Sequence, residues 1–202
     1  TVLDKLIQTF DTKNHGIGIN EGNINVTGIN SIGFALLQGG NSKNTGNIIV
    51  KESNISWHPV IGIVNSQPQY DFSQNSIGYF AQKSNFTNEG TIDVGAKAIG
   101  AYFKNSDVTN KGKINVTAVD AYGLYLKDGN STTEAEITAS GKNSVGALIT
   151  GNSGKFENKV GNKIISSADG SIGVYAKDGG EFTNSGVLTS EHTVTPPNSI
   201  GA

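Results

Sequence analysis

NEGTIDVGAKAIGAYFKNSDVT, residues 88–109, runs directly into NKGKINVTAVDAYGLYLKDGNST, residues 110–132. Both stretches open Asn-x-Gly, pass through an alternating apolar pair, and continue through a Gly with aromatic residues beside it. Working outward, one anchor is a Gly that follows an apolar or aromatic residue: Gly33, Gly78, Gly100, Gly123, Gly146, Gly173 and Gly201. From Gly78 onward the steps are 22, 23, 23, 27 and 28 residues. The second anchor is Asn-x-Gly ahead of an apolar pair, at Asn20, Asn44, Asn88, Asn110 and Asn184. Around residues 134–137 the Ile is kept while the Asn and Gly are replaced. Self-similarity at a fixed period is the mark of a repeat architecture.

Each unit holds two clear alternating segments. Ile92 and Val94, Ile114 and Val116, and Ile137 and Ala139 are separated by Asp93, Asn115 and Thr138, and such alternation predicts half-buried strands. In the second segment the reading places Ile99, Ala101 and Phe103 on one face. Tyr122, Leu124 and Leu126, then Val145, Ala147 and Ile149, then Ile172, Val174 and Ala176 follow at the same offsets. A shorter apolar signal at Phe86, Val108, Phe156 and Phe182 stands two residues ahead of an Asn.

Short strands in units of about 22–28 residues, turned by Gly and Asn, predict an all-β fold, a parallel β-helix, with coils stacked about 4.8 Å apart. Eight or nine coils would make a rod roughly 40 Å long. The inward columns form one thin core that no coil can bury alone. A recurring Asn at one turn predicts a hydrogen-bonded ladder between coils. Leucine-rich repeats require a Leu signature that is absent, and the six-residue apolar period of left-handed β-helices is not found.

Composition bounds the function. The 202 residues carry a formal net charge of −2 with no Cys and no Met, and all 15 basic residues are Lys. That balance gives no electrostatic case for nucleic acid. Without Cys there is neither a disulfide framework nor a thiolate metal site. No apolar run approaches the roughly 20 residues needed to span a bilayer as a helix. Polar composition alone suggests disorder, but 21 Ile at regular intervals argue for periodic order.

The units NEGTIDVGAKAIGAYF, NKGKINVTAVDAYGLYLKDG and SADGSIGVYAKDGGEFTNSG resemble passenger-domain repeats of large type V autotransporter adhesins, most of all those of fusobacterial outer-membrane adhesins. The resemblance covers about residues 14–202. It implies a right-handed β-helix on a bacterial surface, anchored elsewhere by a β-barrel. It also implies attachment to a protein or glycan of host cells or other bacteria, and a much longer parent chain. Residues 1–13 depart from the pattern and are read as a cap, either a short amphipathic helix or a divergent coil.

Two features go beyond what the rod requires. On the second segment, side chains alternating with the inward set are expected to point out. This gives Phe80 with Gln82, Tyr102 with Lys104, Tyr125 with Lys127, Leu148 with Thr150, and Tyr175 with Lys177. The reading is a stripe of aromatics beside a stripe of lysines, suited to sugars, apolar groups or anions. Equally, stacked aromatics stabilise neighbouring coils.

The other feature is a break in rhythm at residues 51–75. Val26 leads to Gly33 within seven residues, but Val50 reaches Gly78 only after 28. PVIGIV there reads as one more coil built on Gly62, or the whole stretch as a loop leaving the rod. Trp57, His58, Tyr70, Asp71 and Phe72 are the candidates for partner contact, since long excursions commonly carry binding. EHTVTPPN at 191–198 is a smaller excursion.

The search for chemistry gives an expectation of no enzyme, no metal and no cofactor. A pectate-lyase-type site needs clustered acids for calcium and typically an Arg, and a glycosidase needs two facing carboxylates. The acids fall at scattered offsets, and the shared Lys-Asp-Gly of Asp128 and Asp178 reads as a turn. His15, His58 and His192 show no zinc spacing. Three classes stay open: adhesin segment, plain stalk, and polysaccharide-processing β-helix enzyme.

Overall fold

The computed structural model describes residues 16–28, 31–37, 39–51, 60–64, 67–70 and 76–191. The expected cap at 1–13, the candidates Trp57, His58, Asp71 and Phe72, and the stretch 192–198 lie outside the described residues.

The repeat folds as a parallel β-solenoid with three strands per turn. One face, face A, stacks β1 (Ile17–Asn20), β4 (Asn41–Asn44), β9 (Asn85–Asn88), β12 (Asp107–Asn110) and β19 (Glu181–Asn184), with the C-terminal halves of β14 (Tyr122–Thr133) and β16 (Val145–Asn158). Face B stacks β2 (Asn23–Val26), β5 (Asn47–Val50), β10 (Thr91–Val94), β13 (Ile114–Val116), β15 (Ile137–Ala139), β17 (Lys163–Ser166) and β20 (Val187–Ser190). Face C stacks β3 (Ile32–Leu37), β8 (Ile77–Gln82), β11 (Ile99–Lys104), the N-terminal halves of β14 and β16, and β18 (Ile172–Lys177). The described residues make six complete turns and two strands of a seventh, fewer than the eight or nine coils expected.

Part of that difference lies in the excursion. Face B passes straight from β5 to β10, pairing Ile48 with Ile92, and face C from β3 to β8, pairing Phe34 with Tyr79. No coil intervenes. PVIGIV instead supplies β6 (Val60–Val64), which pairs antiparallel with β7 (Gln67–Tyr70), Val64 opposite Gln67. The extra-coil reading is therefore corrected: this apolar segment pairs with the next strand of the chain, not with the stack.

The core follows the predicted columns. Ile48, Val50, Ile92, Val94, Ile114 and Val116 of face B meet Tyr79, Phe103, Leu124 and Leu126 of face C and Phe86, Val108 and Phe156 of face A. One expectation fails at the corner before face C. A Cβ on Gly100 would come within 2.8 Å of the γ-carbons of Ile92 and Val94, and one on Gly78 within 2.7 Å of those of Ile48 and Val50. These glycines face the core. Their predecessors Ile77, Ile99 and Val145 lie in a second buried cluster that Tyr122 and Ile172 pack against. Ile99, Tyr122, Val145 and Ile172 thus stand on the face opposite Phe103, because the chain bends through a Gly that has no side chain to place.

The Asn ladder forms at the corner between faces A and B. Asn20 Nδ2 donates to Asn44 Oδ1 at 2.7 Å, Asn44 to Asn88 at 2.7 Å, and Asn88 to Asn110 at 2.8 Å. The second amide hydrogen goes to the carbonyl two residues on, as from Asn88 to Gly90 at 3.3 Å. At the divergent coil, Asn110 donates to the Thr133 hydroxyl at 3.0 Å, and that hydroxyl donates to the Ala135 carbonyl at 2.9 Å. A hydroxyl has one hydrogen where an amide has two, so nothing reaches the next rung. Asn158 Oδ1 is buried without a partner.

Thr133→Asn should restore the rung, because its amide can serve both Asn158 and the Ala135 carbonyl. We expect a gain of about 1 kcal/mol, read from the urea midpoint. An unchanged midpoint would mean that the gap costs nothing.

Candidate interaction surface

The offsets read from the sequence are true registers. Phe80 pairs with Tyr102, Tyr102 with Tyr125, Tyr125 with Leu148 and Leu148 with Tyr175. Beside them run Gln82, Lys104, Lys127, Thr150 and Lys177 in the same pairings. Tyr102 stacks on Tyr125 with ring centroids 4.6 Å apart and planes 10° apart, and meets Phe80 edge-on at 5.5 Å.

The aromatic column is less open than expected. Phe80 is 2% exposed and Tyr125 8%, while Tyr102 is half-buried and Tyr175 alone reaches 44%. The cause is the corner geometry already described. Ile77, Ile99 and Val145 share this face, so the aromatics join an apolar cluster instead of standing among polar neighbours. Burial pushes the Tyr125 phenol above its ordinary pKa. What stays accessible is Tyr175, Lys127 and, in part, Tyr102, Lys104 and Lys177. Of the excursion candidates, Tyr70 closes the β6–β7 pair opposite Val60.

The carboxylates take a role that spacing alone did not reveal. Asp93 Oδ1 accepts from Asn115 Nδ2 at 2.8 Å, and Asp120 Oδ1 from Asn143 Nδ2 at 3.1 Å. Asp107 accepts from Asn130 and Asp128 from Ser153, each across one coil step. These acids brace neighbouring coils. Among the described residues, no three His, Asp or Glu side chains converge as a metal site.

Tyr79, in the core, donates or accepts a hydrogen bond with the Ser42 hydroxyl, and burial drives its pKa upward, partly opposed by that bond. It is a buried phenol held neutral, stacked on Phe86 at 4.0 Å.

No curated protein and no solved structure was found to match the chain. The family described as the BigA third pectate lyase-like domain matches residues 4–136, about two thirds of the sequence. The match spans the first turns of the solenoid and the whole excursion. On this ground the chain belongs to the family of the BigA third pectate lyase-like domain, in keeping with its resemblance to autotransporter-adhesin passenger repeats.

Proposed function

We propose that this chain is a non-catalytic segment of a bacterial surface adhesin passenger, exposed outside the outer membrane. It attaches to a protein or glycan of host cells or other bacteria and holds the rest of its parent chain at a distance as a rigid spacer. One observation carries the reading. The registers set Tyr102 over Tyr125 and Lys104 over Lys127, and bring Tyr175 and Lys177 into the same columns two coils further on, so weak contacts are multiplied without any new fold. Continuous ladders on all three faces stiffen the rod that presents them.

A second reading, a plain stalk, is favoured by the burial of Phe80 and Tyr125, which commits much of the aromatic stripe to coil packing. The two part in a binding assay on epithelial and bacterial cells. The parent chain should bind, and either Trp57→Ala/Tyr70→Ala or Tyr175→Ser should lose most of that binding while keeping its circular dichroism. The first result places contact on the excursion and the second on the open end of the stripe. A folded parent that binds neither cell type is a stalk. Release of reducing ends from a glycan panel would overturn the non-catalytic reading.

A further inference from the structure

Beside the lysine column the corner from face C to face A opens into a groove of about 510 Å³, with Lys83, Asn85, Asn105, Asp107, Asn130 and Lys155 on its walls. Its shape comes from one lengthened corner. When β14 pairs with β16, Lys127 opposes Thr150 and Gly129 opposes Gly154. Three residues, 151–153, therefore stand where Asp128 stands alone one coil earlier, and Ser153 among them borders the groove. Gly129, with φ +119°, also lines it, and a Cβ there would meet the Ser106 carbonyl oxygen of the neighbouring coil at 2.3 Å.

The groove is polar and has spare bonding capacity. Asn105 makes no side-chain hydrogen bond among the described residues. Asn85 and Asn130 use their amide nitrogens on Asn41 and Asp107, at 3.0 and 3.1 Å, and their Oδ1 atoms accept no hydrogen bond among the described residues. Asp107 and Asp128 each have Oδ1 engaged, by Asn130 and by Ser153.

The cations are the more telling part. Among the described residues the ion pairs join Lys43, Lys142, Lys155, Lys159, Lys163 and Lys177 to carboxylates. Lys83, Lys104 and Lys127 form no such pair, nor do Lys51, Lys111 and Lys113 elsewhere. Lys104 and Lys127 also pair directly in register, an arrangement in which like charges repel and destabilise the strands. Lys83 adopts φ 50°, at a corner where the later coils use Asn105 and Asp128, residues that tolerate left-handed backbone better. Three lysines are thus held unpaired at some cost to the fold, on and beside a groove lined by amides.

We propose that this groove binds a carboxylate-bearing glycan lying along the solenoid axis, with Lys83, Lys104 and Lys127 meeting its carboxylates and the Asn amides its hydroxyls. The coil spacing of about 4.8 Å repeats these donors on the scale of one sugar ring. Neither an apolar ligand nor a polycation suits such a lining. The proposal rests on the surface-adhesin reading and gives it a ligand class.

The test is titration of the 202-residue chain with a hyaluronan hexasaccharide, its carboxyl-reduced derivative, and poly-L-glutamate of matched charge. The hexasaccharide should bind, and both the reduced derivative and the Lys104→Gln/Lys127→Gln variant should lower affinity about tenfold or more. The variant should melt no earlier than the parent, since it removes a repulsion, so weaker binding cannot be put down to unfolding. No binding by the folded parent overturns the proposal, as does equal affinity of the variant, of the reduced glycan or of poly-L-glutamate. Cell attachment measured on the same variant separates the two readings. Attachment that survives without glycan binding sinks the groove alone, and glycan binding without any attachment sinks the adhesin reading.

Discussion

Gly90→Ala is expected to cost about 3 kcal/mol or more, or to prevent folding altogether. A Cβ at that position would sit 1.8 Å from the Gly46 carbonyl oxygen and 2.9 Å from Asn44 Nδ2. Gly46 repeats the clash at 1.9 Å against Gly22, and Gly112 at 1.8 Å against Gly90. Here glycine is needed for close approach between coils and not for a left-handed backbone. Relief would require the coils to part where Glu89 N and Gly90 N donate to the Asn44 carbonyl at 2.6 and 3.0 Å. The divergent coil carries Ala135 at the corresponding place, beside Thr133 in the position of the ladder Asn. Gly90 instead stands against an intact rung, Asn44 to Asn88 at 2.7 Å. Gly161→Ala is the control: its φ is +84° but nothing lies within 4 Å, so about 1–2 kcal/mol of conformational cost is expected. Urea midpoints should separate the two glycines clearly. Equal midpoints would mean that the coils do not approach as closely as Gly46 and Gly90 require.

The repeated offsets carried a great deal of this. Parallel coils place equal positions over one another, so finding Tyr102 and Tyr125 at the same offset was enough to put them in register, and the recurring Asn was enough to predict the ladder. Face assignment was harder where the chain turns. Strict alternation counted from Phe103 puts Ile99 inside, yet Gly100 and Ala101 both border the core and Ile99 falls on the other side. Alternation holds along a straight strand and fails across a bend, and a glycine marks the bend without saying which way it faces. The same error hid the burial of Phe80, which depends on Ile77 and Ile99 beside it. At 59–64 the apolar run PVIGIV read as one more coil built on Gly62, and nothing in it named the adjacent strand as its partner. The groove went unread because it lies at a corner lengthened by two residues, 151–153 against Asp128 alone, which the 27-residue step after Gly146 recorded only as irregularity.

Phe103→Ala and Tyr102→Ala, one residue apart on β11, should differ widely in stability. Phe103 is 1% exposed, with ring centroids 5.4 Å from Phe86 and 5.9 Å from Tyr79. Its setting alternates large and small: Tyr79 with Ala81 in one coil, Ala101 with Phe103 in the next, paired Tyr79 to Ala101 and Ala81 to Phe103. Truncation would bring three alanines together, and the strands above and below are tied by backbone hydrogen bonds that stop them closing the gap. The expected loss is about 3–5 kcal/mol. Tyr102 is half-buried on the opposite side and would forfeit its stack on Tyr125 and its edge contact with Phe80, about 1–2 kcal/mol. The opposite order in urea melts would invert the faces of β11 and remove the outward lysines on which the groove depends. Near-equal losses would make the second apolar cluster as structural as the core. The aromatic stripe would then belong to the rod, leaving recognition to the lysines and amides at its corner.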